Sequence, residues 1–252
     1  MIITVASWNI AGAHTIKSSN TTIYDKKDSA YFIEQLADLS PDIVCLQETH
    51  STKGGEPKDA LTIARGLSMD VAVNSVNSPS HIDSKFTLGN SILTSIDYFD
   101  VKDELYPEPP GELYWNDGRP ADTHHKSLQS VNIQNFQVLN TQMLPVRLFG
   151  FTYDNERGSE YSNGINSVME GMAANPSIWC GDFNFNKPIQ IYAHMSKLNL
   201  KESLPQRETG PSDDEENNKP DHILYSPEFT LLSSDIIKTQ TDHYLCYAKF
   251  EV

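Results

Sequence analysis

Asp42-Ile43-Val44-Cys45-Leu46-Gln47-Glu48 is an apolar, β-branched run that closes on two polar residues. A run of this kind reads as a buried strand ending in a carboxylate. Ser40-Pro41 stops the element before it. That element carries Ala30, Ile33, Leu36 and Leu39 at helical spacing, with Asp28-Ser29 as its N-cap region. Further upstream, Ile2–Asn9 is a second apolar strand. Strand, helix and strand in this order form a βαβ-like unit and set the class as α/β.

The rest of the chain extends the pattern. Residues 11–27 read as a polar loop. A helix fits Pro57–Leu67, with Leu61, Ala64 and Leu67 on one side. Asn90–Ser95, Lys126–Ile133 and Gln137–Thr141 read as strands. The Pro/Gly-rich stretch 107–120 is a long loop of the kind that often carries function. A helix near Ile165–Ala174 leads to strand Ser177–Cys180, and a short helix follows at Ile189–Leu198. The acidic stretch 208–219 reads as a mobile, solvated loop. Strands at Asp221–Ser226, Thr230–Ile236 and Tyr244–Val252 close the chain. There is no repeat and no linker. One domain spanning 1–252 is expected, a sandwich of two β-sheets packed face to face and flanked by helices.

Composition narrows the function classes. The chain has 38% hydrophobic and 10% aromatic residues, enough for an ordinary globular core. No run approaches the roughly 18 apolar residues of a membrane helix. No basic amphipathic helix suggests membrane docking. Met1 leads directly into a strand, so no secretory leader is expected. The three cysteines, Cys45, Cys180 and Cys246, sit in apolar runs without close partners. They read as free thiols in a reducing compartment, the cytoplasm, and not as zinc ligands. The formal charge of −15 disfavours loose binding to polyanions. It does not exclude phosphate, because carboxylates can hold a divalent cation that a phosphate then meets.

Polar residues recur at strand ends: Asn9, Glu48, Asp182, Asn184, Asp221 and the pair Asp242-His243. Strand ends are rigid points where side chains converge on one cleft, although any one of these alone is an ordinary turn residue. Acid and amide oxygens together suit a hard cation, Mg²⁺ or Mn²⁺. A nearby histidine then serves as base or hydrogen-bond donor. Trp8 reads as core packing and Cys180 as a small buried apolar residue. Arg119 and Arg147 flank the expected cleft. His14, His50, His81 and His194 have no partner that the sequence names.

Ser7-Trp8-Asn9-Ile10-Ala11-Gly12, Leu46-Gln47-Glu48-Thr49, Gly181-Asp182-Phe183-Asn184-Phe185, Asp221-His222-Ile223-Leu224 and Thr241-Asp242-His243-Tyr244 resemble, in order, the signature blocks of the DNase I-like endonuclease/exonuclease/phosphatase superfamily. Gly89–Ser95 resembles the family's middle strand less sharply. The resemblance implies a four-layer sandwich with mostly antiparallel sheets. It implies that Glu48, Asn9 and Asp242 hold the metal. Asp182 would orient or deprotonate the attacking water, and Asn184 would hold that water or a phosphate oxygen. His243 would face the phosphate with Asp221 orienting its imidazole. Asn90 is expected near the cleft floor as a substrate contact. The implied activity is metal-assisted hydrolysis of a phosphodiester, with DNA or RNA among the substrates; separately, a monomer is expected. A phosphomonoesterase on small molecules is the rival within the same chemistry.

The pattern breaks at Asn140-Thr141-Gln142, where the family usually has Asn-Thr-His. Glutamine can donate a hydrogen bond but cannot carry charge or transfer a proton. Three readings stay open: a working variant of the site, an inactivating change that leaves a phosphate-binding module, or a role filled instead by His124 or His125. Gln142→His is expected to raise turnover with little change in affinity.

Overall fold

The computed structural model describes residues 1–17, 23–115, 117–121, 124–211 and 218–252. Residues 212–217 of the acidic stretch lie outside the described residues. In chain order the strands begin with β1 (Ile2–Asn9), β2 (His14–Ile16), β3 (Tyr24–Lys27), β4 (Ile43–Thr52), β5 (Asp70–Asn74) and β6 (Ser78–Pro79). They continue with β7 (Phe86–Thr94), β8 (Phe99–Leu105), β9 (Ser127–Ile133), β10 (Phe136–Gln142) and β11 (Ser177–Asp182). The last are β12 (Lys201–Glu202), β13 (Asp221–Tyr225), β14 (Thr230–Ile237) and β15 (Leu245–Glu251). The α-helices are α1 (Ser29–Ala37), α2 (Asp59–Leu67), α3 (Glu156–Met172), α4 (Pro188–Ile191) and α5 (Ala193–Lys197).

Two large sheets result. One runs β14-β15-β1-β4-β7-β5 with β6 beside β7; the other runs β12-β13-β11-β10-β9-β8. Only the β1/β4 and β10/β11 pairs of these sheets are parallel, so both sheets are mostly antiparallel as expected.

Period-2 alternation explains the layering. Ile3 and Val5 of β1 and Ile43 and Cys45 of β4 share one core with Val138 of β10, Ile178 and Cys180 of β11 and Ile223 of β13. That core lies between the sheets. The intervening residues Ala6, Trp8, Val44 and Leu46 pack with Phe32 and Leu36 of α1 and Ile63 of α2. On the far side, Leu139, Trp179 and Leu224 pack with Tyr161, Ile165 and Met169 of α3. Helix, sheet, sheet, helix are the four layers. Their strands are buried on both faces, which is why β4 and β11 read as continuous apolar runs.

Asp28 caps α1 by accepting from the Tyr31 amide, as its position before the apolar period suggested. Several boundaries differ from expectation. Residues 11–27 are not wholly loop: a short 3₁₀ turn at Ala11–Ala13 leads into the β2/β3 hairpin. α2 starts at Asp59 and not at Pro57. α3 starts at Glu156, capped by Asn155, well before Ile165. Its first turns are rich in Gly and Ser, weak helix formers, and tertiary packing of Tyr161 decides them. The helix expected at Ile189–Leu198 is two short ones. β8 was missed because it is exposed along its whole length and Asp103 interrupts its apolar row of Phe99, Val101 and Leu105. Cys45, Cys180 and Cys246 are buried free thiols. Among the described residues no helix is long and apolar enough to cross a membrane.

Candidate active site

The alternation that builds the inter-sheet core also builds the site. Continuing the inward positions of β1 past Ile3, Val5 and Ser7 reaches Asn9. On β10 the inward row reaches Asn140 and Gln142; on β11 it reaches Asp182; on β13, running the other way, it reaches Asp221. Asp221, Asp182 and Gln142 are direct cross-strand neighbours, Asp182 opposite Asp221 on one side and Gln142 on the other. Apolar residues fill the middle of the inter-sheet layer, and polar ones fill this end.

Glu48 needs an irregularity to join them. It does not end its strand, as the sequence suggested; β4 continues to Thr52. The β4/β7 register slips between Leu46 and Thr49, and Glu48 has φ +55°. A bulge of this kind turns one side chain out of the alternation. A left-handed conformation at a non-glycine residue costs of order 1–3 kcal/mol and persists where surrounding structure imposes it. Gln47, fully buried, supplies part of that: its amide donates to Asn140 Oδ1 at 2.7 Å. The Asn140 amide in turn holds the Leu46 and Ser91 carbonyls.

Asp182 is the hub. Its Oδ2 accepts from the side-chain amides of Asn9, Asn184 and Gln142, each at 3.2 Å. Its Oδ1 accepts from the Asn184 backbone N–H at 3.0 Å. Burial nevertheless pushes its pKa up to about 6; His243 opposes the rise, while Asp221 and Glu48 add to it. His243 Nδ1 lies 2.9 Å from Asp221 Oδ2, and its Nε2 lies 3.9 Å from Asp182 Oδ2. The Asp221 contact fixes the ring so that Nε2 faces the cleft. Burial by itself would lower the His243 pKa, but Asp221 and Asp182 outweigh it and hold the ring well above the ordinary histidine value. The Trp8 indole donates to the His243 carbonyl at 2.9 Å, so this core residue also anchors the Asp242-His243 segment.

Of the expected metal ligands, Glu48 and Asp242 lie near enough to act on each other electrostatically. Asp242 Oδ2 accepts from the Tyr24 hydroxyl at 3.0 Å, whereas its Oδ1 is buried without a partner. Burial raises the Asp242 pKa, and the nearby Glu48 carboxylate raises it further. A second carboxylate nearby and a buried oxygen without a hydrogen-bond partner are the donor types that a hard cation takes. Asn9 contacts Asp182 through its amide at 3.2 Å, and its Oδ1 accepts from the Ala11 amide at 3.2 Å. Hard oxygen donors of this kind fit Mg²⁺ or Mn²⁺. Separately, Asp182, Asp221 and His243 place ligand atoms within 4.8 Å of one another. Their internal hydrogen bond makes them a dyad with a neighbour more than a second ion cage.

Gly210 guards this arrangement from below. A Cβ there would stand 2.5 Å from the Asp242 carbonyl oxygen, so Gly210→Ala must shift the Asp242-His243 backbone. We expect a loss of about tenfold in turnover, since small displacements of reacting groups carry rate costs of this order. An unchanged divalent-metal titration and turnover in Gly210→Ala would refute it.

Other expectations resolve differently. Asn90 is fully buried, donates weakly to the Ser127 carbonyl at 3.5 Å and leaves Oδ1 unpartnered; as placed it does not line the cleft. Arg119 pairs with Asp117 and is 76% exposed. His124 and His125 do line the cleft, together with His81, Lys126, Trp115, Leu144, Leu148 and Phe149. Neither occupies the Gln142 position, which remains in the strand row. The sequence reading left His81 without a partner and did not single out Lys126. His81 Nε2 lies 4.0 Å from Glu48 Oε2. Lys126 Nζ donates to Gln142 Oε1 at 2.6 Å. Both sit in or beside loops, where no motif or periodicity marks them.

Gln142 is built into the site. Besides Lys126 it engages Glu48 Oε1 and Asp182 Oδ2 through Nε2, at 2.7 and 3.2 Å. An imidazole has two nitrogens in fixed directions and cannot serve all three partners. Gln142→His would give up at least one of these contacts, which works against the gain in turnover expected of it.

The family model described as the Endonuclease/Exonuclease/phosphatase family matches residues 6–243. A curated relative, a DNA-(apurinic or apyrimidinic site) endonuclease of Dictyostelium discoideum, is 23% identical over 181 residues, 71% of this chain and 41% of the relative. The chain thus spans about two fifths of that relative's length. Among solved structures, an endonuclease/exonuclease/phosphatase family protein from Leptotrichia buccalis has a TM-score of 0.70 at 13% identity, covering 99% of this chain and 100% of that one. An AP endonuclease from Archaeoglobus fulgidus has 0.62 at 18%, covering 99% and 100%. A mannosyl-6-phosphatase of Bacteroides thetaiotaomicron has 0.59 at 16%, again covering 99% and 100%. At these identities the structural likeness is one of fold.

Proposed function

Because the chain belongs to the endonuclease/exonuclease/phosphatase family, a family of hydrolases, we propose that it is a divalent-metal-dependent phosphodiesterase. Nucleic acid is among its candidate substrates, and a reducing compartment such as the cytoplasm is its proposed location. The observation that carries this reading is that Asp182 and His243 line one cleft with Glu48, Asp221 clustering with the first two and Asp242 coupled electrostatically to Glu48.

Each residue has a task that follows from its contacts. Glu48, Asp242 and Asn9 would hold Mg²⁺ or Mn²⁺, which when bound neutralises charge developing on the phosphate and the leaving oxygen. Asp182, held by three amides, orients the attacking water and accepts its proton. Asn184, whose amide also donates to the Met143 carbonyl at 2.9 Å, fixes that carboxylate. His243, kept protonated by Asp221, donates from Nε2 to a phosphate oxygen. The net charge of −15 disfavours sliding along a polyanion, which favours a substrate gripped at one phosphate.

The pH profile follows. Below about 6 Asp182 takes up a proton and ceases to be a base. Above the raised His243 value, the imidazole loses its charge. The kcat/KM profile should rise through about pH 6, plateau, and fall only on the alkaline side of ordinary histidine titration. A profile flat from pH 5 to 7.5 would contradict Asp182 as proton acceptor.

The test is a panel with Mg²⁺ and with Mn²⁺: bis-(p-nitrophenyl) phosphate, p-nitrophenyl phosphate, plasmid DNA, end-blocked single-stranded DNA, RNA and inositol phosphates. Diester turnover exceeding monoester turnover supports the proposal. The reverse order points to a small-molecule phosphatase, the activity named for the mannosyl-6-phosphatase neighbour. No turnover of any of them leaves the phosphate-binding module.

A further inference from the structure

The amide of Gln142 has two possible orientations that differ by exchanging oxygen and nitrogen. Lys126 removes the ambiguity. An ammonium has donors only, so the atom 2.6 Å from Lys126 Nζ must be the oxygen. The nitrogen then faces Glu48 Oε1 at 2.7 Å and Asp182 Oδ2 at 3.2 Å, both acceptors. A flipped amide would set donor against donor once and acceptor against acceptor twice. Lys126 is itself positioned by the backbone, its carbonyl accepting from the Tyr106 amide at 2.9 Å at the entry to β9. Among the described residues it makes no direct ion pair with a carboxylate; its charge reaches Glu48 and Asp182 across the amide. Of the charged groups around Glu48, Lys126 is the strongest of those lowering its pKa against the cost of burial.

We propose that Lys126 is a positioning residue for hydrolysis: it locks the Gln142 amide with its N–H groups turned into the cleft, and the Lys126–Gln142 pair together supplies the donor and the positive charge that a histidine at position 142 would supply alone. The inference rests on the hydrolytic reading above. A hydrogen bond from an ammonium polarises the amide and strengthens its N–H as a donor. A phosphate oxygen arriving between Glu48 and Asp182 competes with them for N–H groups that are already turned into the cleft.

The experiment joins a spectroscopic arm to a kinetic one. In ¹⁵N-labelled, metal-free protein the Gln142 side-chain amide is assigned by its loss in Gln142→Ala. Its two protons should be well separated and slow to exchange; Lys126→Met should bring them together and speed exchange, and Lys126→Arg should preserve them. With bis-(p-nitrophenyl) phosphate and Mg²⁺, Lys126→Met should lower kcat about 10–100-fold, the range for residues that orient a catalytic group, with KM changed less than about threefold. Lys126→Arg should recover most of it. Lys126→Met combined with Gln142→Ala should be no slower than Gln142→Ala alone. Losses that multiply would mean that Lys126 touches substrate directly and would overturn the proposal, as would a Gln142 amide spectrum indifferent to Lys126→Met. Should Lys126→Met not fold, Lys126→Gln, also uncharged, carries the same expectations. If the wild type hydrolyses no phosphoester, the functional reading fails, while the amide spectrum still decides whether Lys126 sets Gln142.

Discussion

Glu48→Ala is expected to lower metal-dependent turnover of bis-(p-nitrophenyl) phosphate by on the order of 10³ or more, because about 4 kcal/mol of transition-state stabilisation corresponds to that factor. The residue is the carboxylate that a bulge turns out of β4, and Asp242 and Asn9 are weaker anchors without it. Its own pKa is informative: burial pushes it up, but Lys126, His81, Gln142 and His243 outweigh burial and keep it ionised. Removing it leaves those donors and cations facing one another with no anion between them. A binding readout separates lost metal from lost chemistry. Mg²⁺ or Mn²⁺ should raise the melting temperature of the wild type, as any ligand of the native state does, and should not raise that of Glu48→Ala. Retained turnover, or an equal metal-induced shift in the variant, would remove Glu48 from the metal site and with it the core of the proposed function.

His243→Ala should be nearly as severe, on the order of 10³ in kcat, within the span for a positioned acid–base group. Its KM should move little, since the imidazolium acts on charge that grows in the transition state. Asp221→Asn should then cost less, about 10–100-fold, the range seen when a partner that orients an imidazole is removed. It should also shift the alkaline limb of the pH profile downward, because Asp221 is the leading attraction holding His243 above its ordinary value. The sign is fixed by charge: removing an anion that favours imidazolium lowers the pH at which the proton leaves. A variant pair in which Asp221→Asn equals or exceeds His243→Ala would place the critical charge on Asp221 and not on the ring.

The sequence carried a large share of this site for a simple reason. Asn9, Asp182 and Asp221 sit in register with apolar runs, so strand periodicity marks them as inward-facing positions at one end of the core. Glu48 was legible as a carboxylate after an apolar run, but not as a bulged residue inside a longer strand, because backbone irregularity leaves no periodic trace. Asn90 looked like its neighbours in a strand and proved fully buried; two-sided burial erases the alternation that would have told inward from cleft-facing. β8 escaped notice for the opposite cause, a strand exposed throughout.

Local chemistry in the chain thus determined the elements, the two-sheet class and the identity of most polar groups at the strand ends, since these follow from spacing along one segment. Tertiary structure alone decided that Asp221, Asp182 and Gln142 stand side by side, and that Lys126 reaches Gln142. Those contacts join segments far apart in sequence through sheet order and register. They arise from the packing of two sheets, which no single segment encodes.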